Sequence, residues 1–544
     1  MITTARHAVL ALAATSLLLA GCSGGGKSGD SGGAASTPSQ ATNVAPIPRG
    51  FVENDAPAGD PVQGGTLTYA LGTEADSLDP ATEFGAGSTG GSELAAIYDS
   101  LVRYDPATKK YEPQLAEKME ANKANTEWTV TLREGTKFTD GTPMDGEAVK
   151  YSVERYIAAG GGWSGFLDDA LDTVTADGMK AVFKLSRPWA DFPFMLAQAP
   201  GNIVSKTGVD QYGKEFVRNP VGAGPFKLEK WAPGEELVLA ANPDYVNGKP
   251  YLDKLRFVPV TTPQALGDLM TTKGVDAAFL SAPQVMRPIL EGNFGGYNEP
   301  MNTGSILLIN NGIGGKPRPG EDVRVRQAIA YAIDTKVIDQ RATGGTGLPG
   351  NDVFQAGSRW ANGVGGIKPD TNKAKELLAQ AKADGFDGKL VMVIPPTQPE
   401  ASLTVQAMLN AVGFQIETAP AQTVQDLIRR VLVEGDFDIS VYGWSVPDEP
   451  GEVFARYYDR IGRAGNPIGY KATDLGQLLL DFAATSDETE KKTIMGKLQE
   501  TWNQQVPSVP LAQTPSMVAW QETVHGIKPS SQLILHFDKA WISK

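Results

Sequence analysis

The chain has 544 residues, 41% hydrophobic and 21% charged, with a formal charge of −14. That length implies several structural units rather than one small domain, and the acidic balance argues against a nucleic-acid-binding surface as the main business. One cysteine excludes an internal disulfide, and three histidines (His7, His525, His536) leave little for a histidine-rich metal site, so no metal and no cofactor are expected.

In chain order, the amino terminus comes first. Arg6 precedes an apolar run, Ala8 to Ala20, broken only by Thr15 and Ser16. It suits a signal segment and falls short of the roughly 20 residues of a membrane-spanning helix. The run ends in Leu19-Ala20-Gly21-Cys22, which resembles a bacterial lipobox. Residues 1–21 are therefore expected to be removed and Cys22 to carry lipid. Residues 22–61 are rich in Gly, Ser, Ala and Pro and read as a lipidated cysteine with a disordered tether, reaching roughly 30–40 Å from the lipid. Ser31 sits in a GxSxG string within this tether, where nothing fixes a base beside it. Gly85 to Gly90 and Gly345 to Gly350 fit GxGxxG, but a loop-like stretch precedes Gly85, and the fingerprint needs a strand there.

The folded part opens with an alternating strand, residues 65–71. A helix over 94–101 follows, then a strand with Trp128, Val130 and Leu132. Asp145 is placed to cap a helix carrying Val149, Val153 and Tyr156. Residues 174–185 form a hairpin around Asp177-Gly178. Strands follow at 237–239, 255–259 and 305–310. From there helices (325–338, 371 to near 385 with Thr371 as cap, 404–412, 424–433) alternate with strands (390–394, 414–417, 438–442). Such alternation implies α/β units on a largely parallel sheet. A charged helix spans 489–502, and the tail 532–541 is expected to rejoin an earlier sheet.

Several strings in this order resemble the family 5 extracellular solute-binding proteins of ABC importers, the oligopeptide- and dipeptide-binding group. They include Gly64-Gly65-Thr66-Leu67 with Leu78-Asp79-Pro80, Trp128 to Arg133 with Gly135-Thr136-Lys137-Phe138, and Asp140-Gly141-Thr142-Pro143. Asn219 to Phe226, Asn242-Pro243-Asp244-Tyr245 and Val323 to Asp334 continue the series. The resemblance implies an α/β, two-lobed periplasmic-binding-protein fold (type II, cluster C) with an inserted α+β subdomain in lobe I. Lobe I would comprise 62–106, 221–311 and 524–544, the insertion 107–220 and lobe II 312–523, with hinge crossings near Asn310 and Pro515.

The same resemblance implies a binding lipoprotein rather than an enzyme. It would sit at the outer face of the cytoplasmic membrane, as a monomer anchored by lipid at Cys22, and deliver a peptide or similar small polar solute to an ABC permease. In such proteins an acid after a Gly-Trp pair holds the peptide's ammonium. Here Gly443-Trp444-Ser445 is followed by Pro447, where the acid belongs, so Asp448 is the substitute and Glu449 the runner-up. Glu83, Phe84, Gly85 and Ala86 correspond to the loop that meets the peptide backbone. Trp163, in a glycine-rich loop, is placed as a cleft wall, and Asn466 and Tyr470 are added as contacts. The alternatives are a binding lipoprotein for a non-peptide solute, a signalling receptor using the same cleft, and, more remotely, an extracytoplasmic hydrolase.

Overall fold

The structure is a computed structural model and describes residues 47–54, 59–313, 315–471 and 473–543. The signal segment, Cys22, and residues 23–46 and 55–58 of the expected tether lie outside the described residues.

Two sheets organise the chain. The larger has eight strands in the order Gly50–Val52, Gly295–Asn298, Met517–Trp520, Ala277–Leu280, Thr66–Leu71, Lys254–Pro259, Glu236–Ala241, Phe226–Ala232. Thr66–Leu71 runs parallel to both neighbours, and Leu67, Tyr69, Ala70 and Leu71 are all buried, as a central strand covered on two faces requires. The smaller sheet has six strands in the order Leu348–Pro349, Ser508–Thr514, Met301–Ile309, Ile439–Tyr442, Lys389–Ile394, Gln415–Pro420. Lys389–Ile394 is parallel to both its neighbours, as the alternating pattern of that region predicts. Helices cover this sheet, and the architecture is the expected two-lobed α/β one.

The chain passes from the larger sheet to the smaller between Asn298 and Met301, and returns between Thr514 and Met517. The first passage comes about ten residues before the expected one, because the apolar run at 305–309 is only the second half of its strand. The first half, Met301-Asn302-Thr303-Gly304, has Met301 as its one hydrophobic residue and so no alternating signal. Gly304 is needed there, since a Cβ would fall 2.2 Å from the backbone nitrogen of Thr514.

Between the first strands and Phe226 lies a four-stranded antiparallel sheet, ordered Ala116–Ala121, Glu127–Leu132, Lys180–Leu185, Leu171–Asp177. Asp145 caps the helix Gly146–Ala159 by accepting from the Ala148 amide at 3.0 Å. Gly178, at φ 56°, turns the hairpin. This inserted unit packs its aromatic side chains against the helices after residue 450. Phe166 and Trp189 lie 5.6 and 5.4 Å from Phe454, ring to ring, and Asp191 pairs with the buried Lys491. Gly451 allows a close approach, because a Cβ there would meet Phe194 at 2.3 Å.

Four local expectations are corrected. The single helix over 325–338 is two, Val323–Ala332 and Thr335–Ala342, because Asp334 starts the second by accepting from the Lys336 amide at 3.0 Å. Asp370, not Thr371, caps the next helix, accepting from the amides of Asn372 and Lys373. The tail pairs within its own neighbourhood, His525 opposite Trp541 and Pro529 opposite Leu535, and the strand that rejoins the larger sheet is Met517–Trp520. Residues 47–54, expected within the tether, are docked: Gly50–Val52 pairs with Gly296–Asn298, Ile47 is buried and Phe51 packs on Tyr297 at 4.9 Å. Composition missed this because an edge strand needs only a few residues and a free sheet edge.

Candidate functional site

A cavity of about 390 Å³ lies where the two sheets meet. Phe84, Ala86, Ser88, Phe279 and Ser281 line it from the side of the larger sheet, with Gln532 from the tail. Met301, Gly443, Trp444, Ser445, Pro447, Thr514 and Ser516 line it at the two chain passages and at the end of the strand Ile439–Tyr442. Glu452, Arg456 and Arg460 close it from the helix Pro450–Tyr457 and the π-helical turn that extends it to Gly462. A hollow of about 490 Å³ on the insertion is larger, but it is rimmed by exposed Glu147 and Lys206 and lies within one unit rather than between two.

The backbone at the cavity is unusual. Ser445 has φ 41° and Thr303 φ 47°, left-handed values that β-carbon residues adopt at a cost of order 1 kcal/mol. They sit on facing segments: Trp444 N donates to Thr303 O at 3.3 Å, and Asn302 and Val446 exchange backbone hydrogen bonds at 2.8 Å. These bulges point the Gly443-Trp444-Ser445 turn into the cavity, while Trp444 itself packs edge-on against Tyr457.

The charged wall has its own logic. The spacing of Glu452, Arg456 and Arg460 puts all three on one helix face. Glu452 is fully buried, its Oε1 accepts from Arg456 Nε, and its Oε2 has no hydrogen-bond partner. Burial pushes the Glu452 carboxyl up, and Arg456 opposes that shift. Arg456 also donates to Gln532 Oε1 at 3.2 Å and lies over the Trp163 ring. Arg460 donates to Trp444 O at 3.0 Å and lies over the Trp444 ring, and it has no carboxylate within ion-pair distance among the described residues. Burial, then the neighbouring Arg456, pull its guanidinium down to about 10.

The expected site residues divide in two. Phe84, Ala86, Gly443, Trp444 and Ser445 line the cavity. Trp163 lines an adjoining cavity of about 170 Å³ with Phe84, Arg456 and Arg460. Glu83 is behind the wall: its carboxylate accepts from the amides of Asp76, Ser77 and Phe84, fixing the loop that leaves Phe84 45% exposed, and Gly85 takes φ 71° in that loop.

Asp448 does not reach the cavity. Its Oδ1 accepts from Asn302 Nδ2 at 2.9 Å and Ser358 Oγ at 2.6 Å, its Oδ2 from the Arg359 amide at 2.8 Å, and Arg49 Nη1 lies 3.0 Å from Oδ2. A carboxylate so engaged has no face left for a ligand ammonium. Glu449 caps its helix by accepting from the amides of Gly451 and Glu452, both at 2.9 Å. Asn466 closes its own loop, bonding Arg463 O and both backbone groups of Tyr470, and neither Asn466 nor Tyr470 lines the cavity. The residues the sequence reading passed over are Glu452, Arg456 and Arg460. Their signal is the i, i+4, i+8 spacing of charges, with Asp459 as the one other charge in that stretch. His525 stacks on Trp541 and His536 faces Asp99, both away from the cavity.

Two α/β lobes joined by two chain passages, with a cavity of mixed apolar and charged lining between them, define a periplasmic-type binding protein. A family model described as bacterial extracellular solute-binding proteins, family 5 Middle, matches residues 110–465, more than half of the chain, and the chain belongs to that family. It is 24% identical over 516 residues to the oligopeptide-binding protein AppA of Bacillus subtilis strain 168, covering 90% of this chain and 93% of that one. Its fold matches that of the periplasmic binding protein DppA from Helicobacter pylori in complex with the peptide STSA (TM-score 0.72, 24% identity, 89% of this chain and 99% of that one). It also matches AgaA from A. tumefacien R10 in complex with agropinic acid (TM-score 0.71, 24% identity, 88% and 99%).

Proposed function

We propose that this protein is a receptor anchored outside the cytoplasmic membrane by lipid on Cys22, which closes on a peptide or a similar small polar solute and presents it to an ABC permease. The observation that carries the reading is the cavity of about 390 Å³ at the double chain passage, lined by main chain, aromatic rings and paired charges rather than by a catalytic set. Lobe I would be the larger sheet with its insertion, and lobe II the smaller sheet with its helices. The passages at 298–301 and 514–517 would be the hinge. The fold likenesses to DppA with a peptide and AgaA with agropinic acid support both a peptide and a non-peptide solute.

Native mass spectrometry of the protein from its expression host, followed by thermal unfolding against short peptides, tests the reading. A ligand present at 100 times its Kd adds about 2.7 kcal/mol to stability, so a cognate peptide raises Tm with no turnover. Flat melting curves across the peptide panel would exclude peptides. The anchor is tested separately: wild type incorporates labelled palmitate and sediments with membranes, and Cys22→Ser is expected to lose both. A Cys22→Ser variant that still sediments with membranes would refute lipid anchoring at this residue.

A further inference from the structure

We propose that the amino-terminal segment 47–52 is a strap across the hinge, and that Arg49 is the side chain by which it holds the two lobes together. This rests on the hinge assigned above and adds a part to it. The strap is anchored in lobe I. Gly50–Val52 pairs with Gly296–Asn298, Ile47 belongs to the core that holds Met270, Met286 and Ile289, and Asn298 Nδ2 donates to Pro48 O. Arg49 then reaches out of that sheet. Its Nη2 donates to Pro300 O at 2.8 Å, in the first chain passage, and its Nη1 lies 3.0 Å from Asp448 Oδ2, beyond the passage. Asp448 is fixed within lobe II by Ser358 Oγ and the Arg359 amide, at 2.6 and 2.8 Å. One guanidinium thus joins the edge strand of lobe I, the passage and a junction of lobe II.

The second passage is tied in at the same point. The Glu299 amide donates to Ser516 O at 2.9 Å, and Glu299 Oε1 accepts from the Asp448 amide at 3.1 Å. The lobes are in contact in this arrangement: Arg359 Nη1 donates to Tyr104 Oη at 3.1 Å, and Asp191 pairs with Lys491. Loss of the strap is therefore expected to widen their separation. The Arg49–Asp448 pair is only 19% and 12% exposed, so water and salt screen it little. A receptor that is open for a set fraction of the time binds with an apparent affinity scaled by that fraction. The strap thereby sets how readily the empty protein admits a solute.

The test needs no solute. In the full chain, Cys22→Ser removes the only cysteine, so spin labels can be placed at Glu291→Cys in lobe I and Lys375→Cys in lobe II, both exposed positions. A control pair, Lys227→Cys with Glu291→Cys, lies within lobe I. Double electron–electron resonance gives the distance distribution of each pair with Arg49 intact, as Arg49→Gln and as Arg49→Lys. Arg49→Gln is expected to raise the share of longer cross-hinge distances at least about fivefold, within the range of coupling for residues of one ionic network. Arg49→Lys keeps the charge but loses the fork, and should recover part of the difference. The control pair should stay unmoved. Unliganded Tm shows whether Arg49→Gln still folds, and if it does not, Arg49→Lys against the intact arginine decides. Identical cross-hinge distributions in folded variants overturn the proposal. A change in both pairs also overturns it, since the arm would then brace lobe I alone. A solute that raises Tm while the distances stay unmoved removes the strap and leaves the receptor reading standing. Wider distances with flat melting curves keep the strap and remove the peptide reading.

Discussion

Asp448→Ala is expected to lower stability by about 3–5 kcal/mol, the cost of breaking a buried charge pair by removing one partner, and to weaken free-amine and N-acetylated ligands by the same factor. The carboxylate is a junction of four chain segments. Arg49 reaches it from the docked amino-terminal strand, Asn302 from the strand after the first passage, and Ser358 and the Arg359 amide from the long loop before residue 370. Its own amide donates to Glu299 at the first passage, at 3.1 Å. Removing the side chain leaves Arg49 beside empty space and exposes Glu299, whose carboxyl burial and then Asp448 push up to about 7, to a changed field. Asp448→Asn keeps much of the acceptor geometry and should cost less. Thermal unfolding gives the stability change, and titration with paired free and acetylated peptides gives the binding change. A loss confined to the free amine would restore Asp448 as the ammonium anchor and refute its role as a junction. A double-mutant cycle with Arg49→Ala should show coupling on the order of 1–3 kcal/mol, as for residues sharing one ionic network.

This junction explains where sequence reasoning succeeded and where it stopped. Local chemistry was legible: Asp145 caps its helix, Asp177-Gly178 turns its hairpin, and Gly413 ends a helix at φ 107°. Each of these is decided within a few residues. The strand Met517–Trp520 was assigned to lobe II because nothing local says that it pairs with Ala277–Leu280 and Gly295–Asn298, more than 200 residues away. The site followed the same division. The Gly443-Trp444-Ser445 turn and the Phe84 loop, named through a resemblance carried by their own strings, line the cavity. Arg456 and Arg460 were not named, because only the docking of the helix at Gly451 and Phe454 decides which face looks into the cavity. Asp448 was misplaced for the opposite reason. Its proximity to Trp444 in sequence is real, but Arg49 and Asn302, which take it up, lie 399 and 146 residues away.

Glu93→Gln is expected to stabilise the protein at pH 8 and to leave it nearly unchanged at pH 5. Glu93 lies in the first turn of the helix Gly91–Tyr98, where the helix dipole favours a negative charge, yet it is fully buried and its Oε2 has no partner. Burial wins: the carboxyl is pushed up to about 8, with Glu83 and Glu74 adding repulsion and its own amide and that of Gly90 opposing the shift. Tyr69, also buried, is pushed up in part by Glu93 and so stays a neutral phenol beside it. A carboxyl whose folded value lies above its unfolded value stabilises the fold while protonated. That contribution is complete below the unfolded value near 4.5 and is lost as pH rises toward 8. At about 1.4 kcal/mol per unit the loss amounts to roughly 3–5 kcal/mol in wild type. Glutamine has no proton to lose and avoids it. Glu299 titrates with the same sign but is present in both proteins, so the difference between their melting curves at pH 5 and pH 8 isolates Glu93. Equal differences at the two pH values would mean that Glu93 is ionised in the folded protein throughout, with its charge satisfied by the helix terminus.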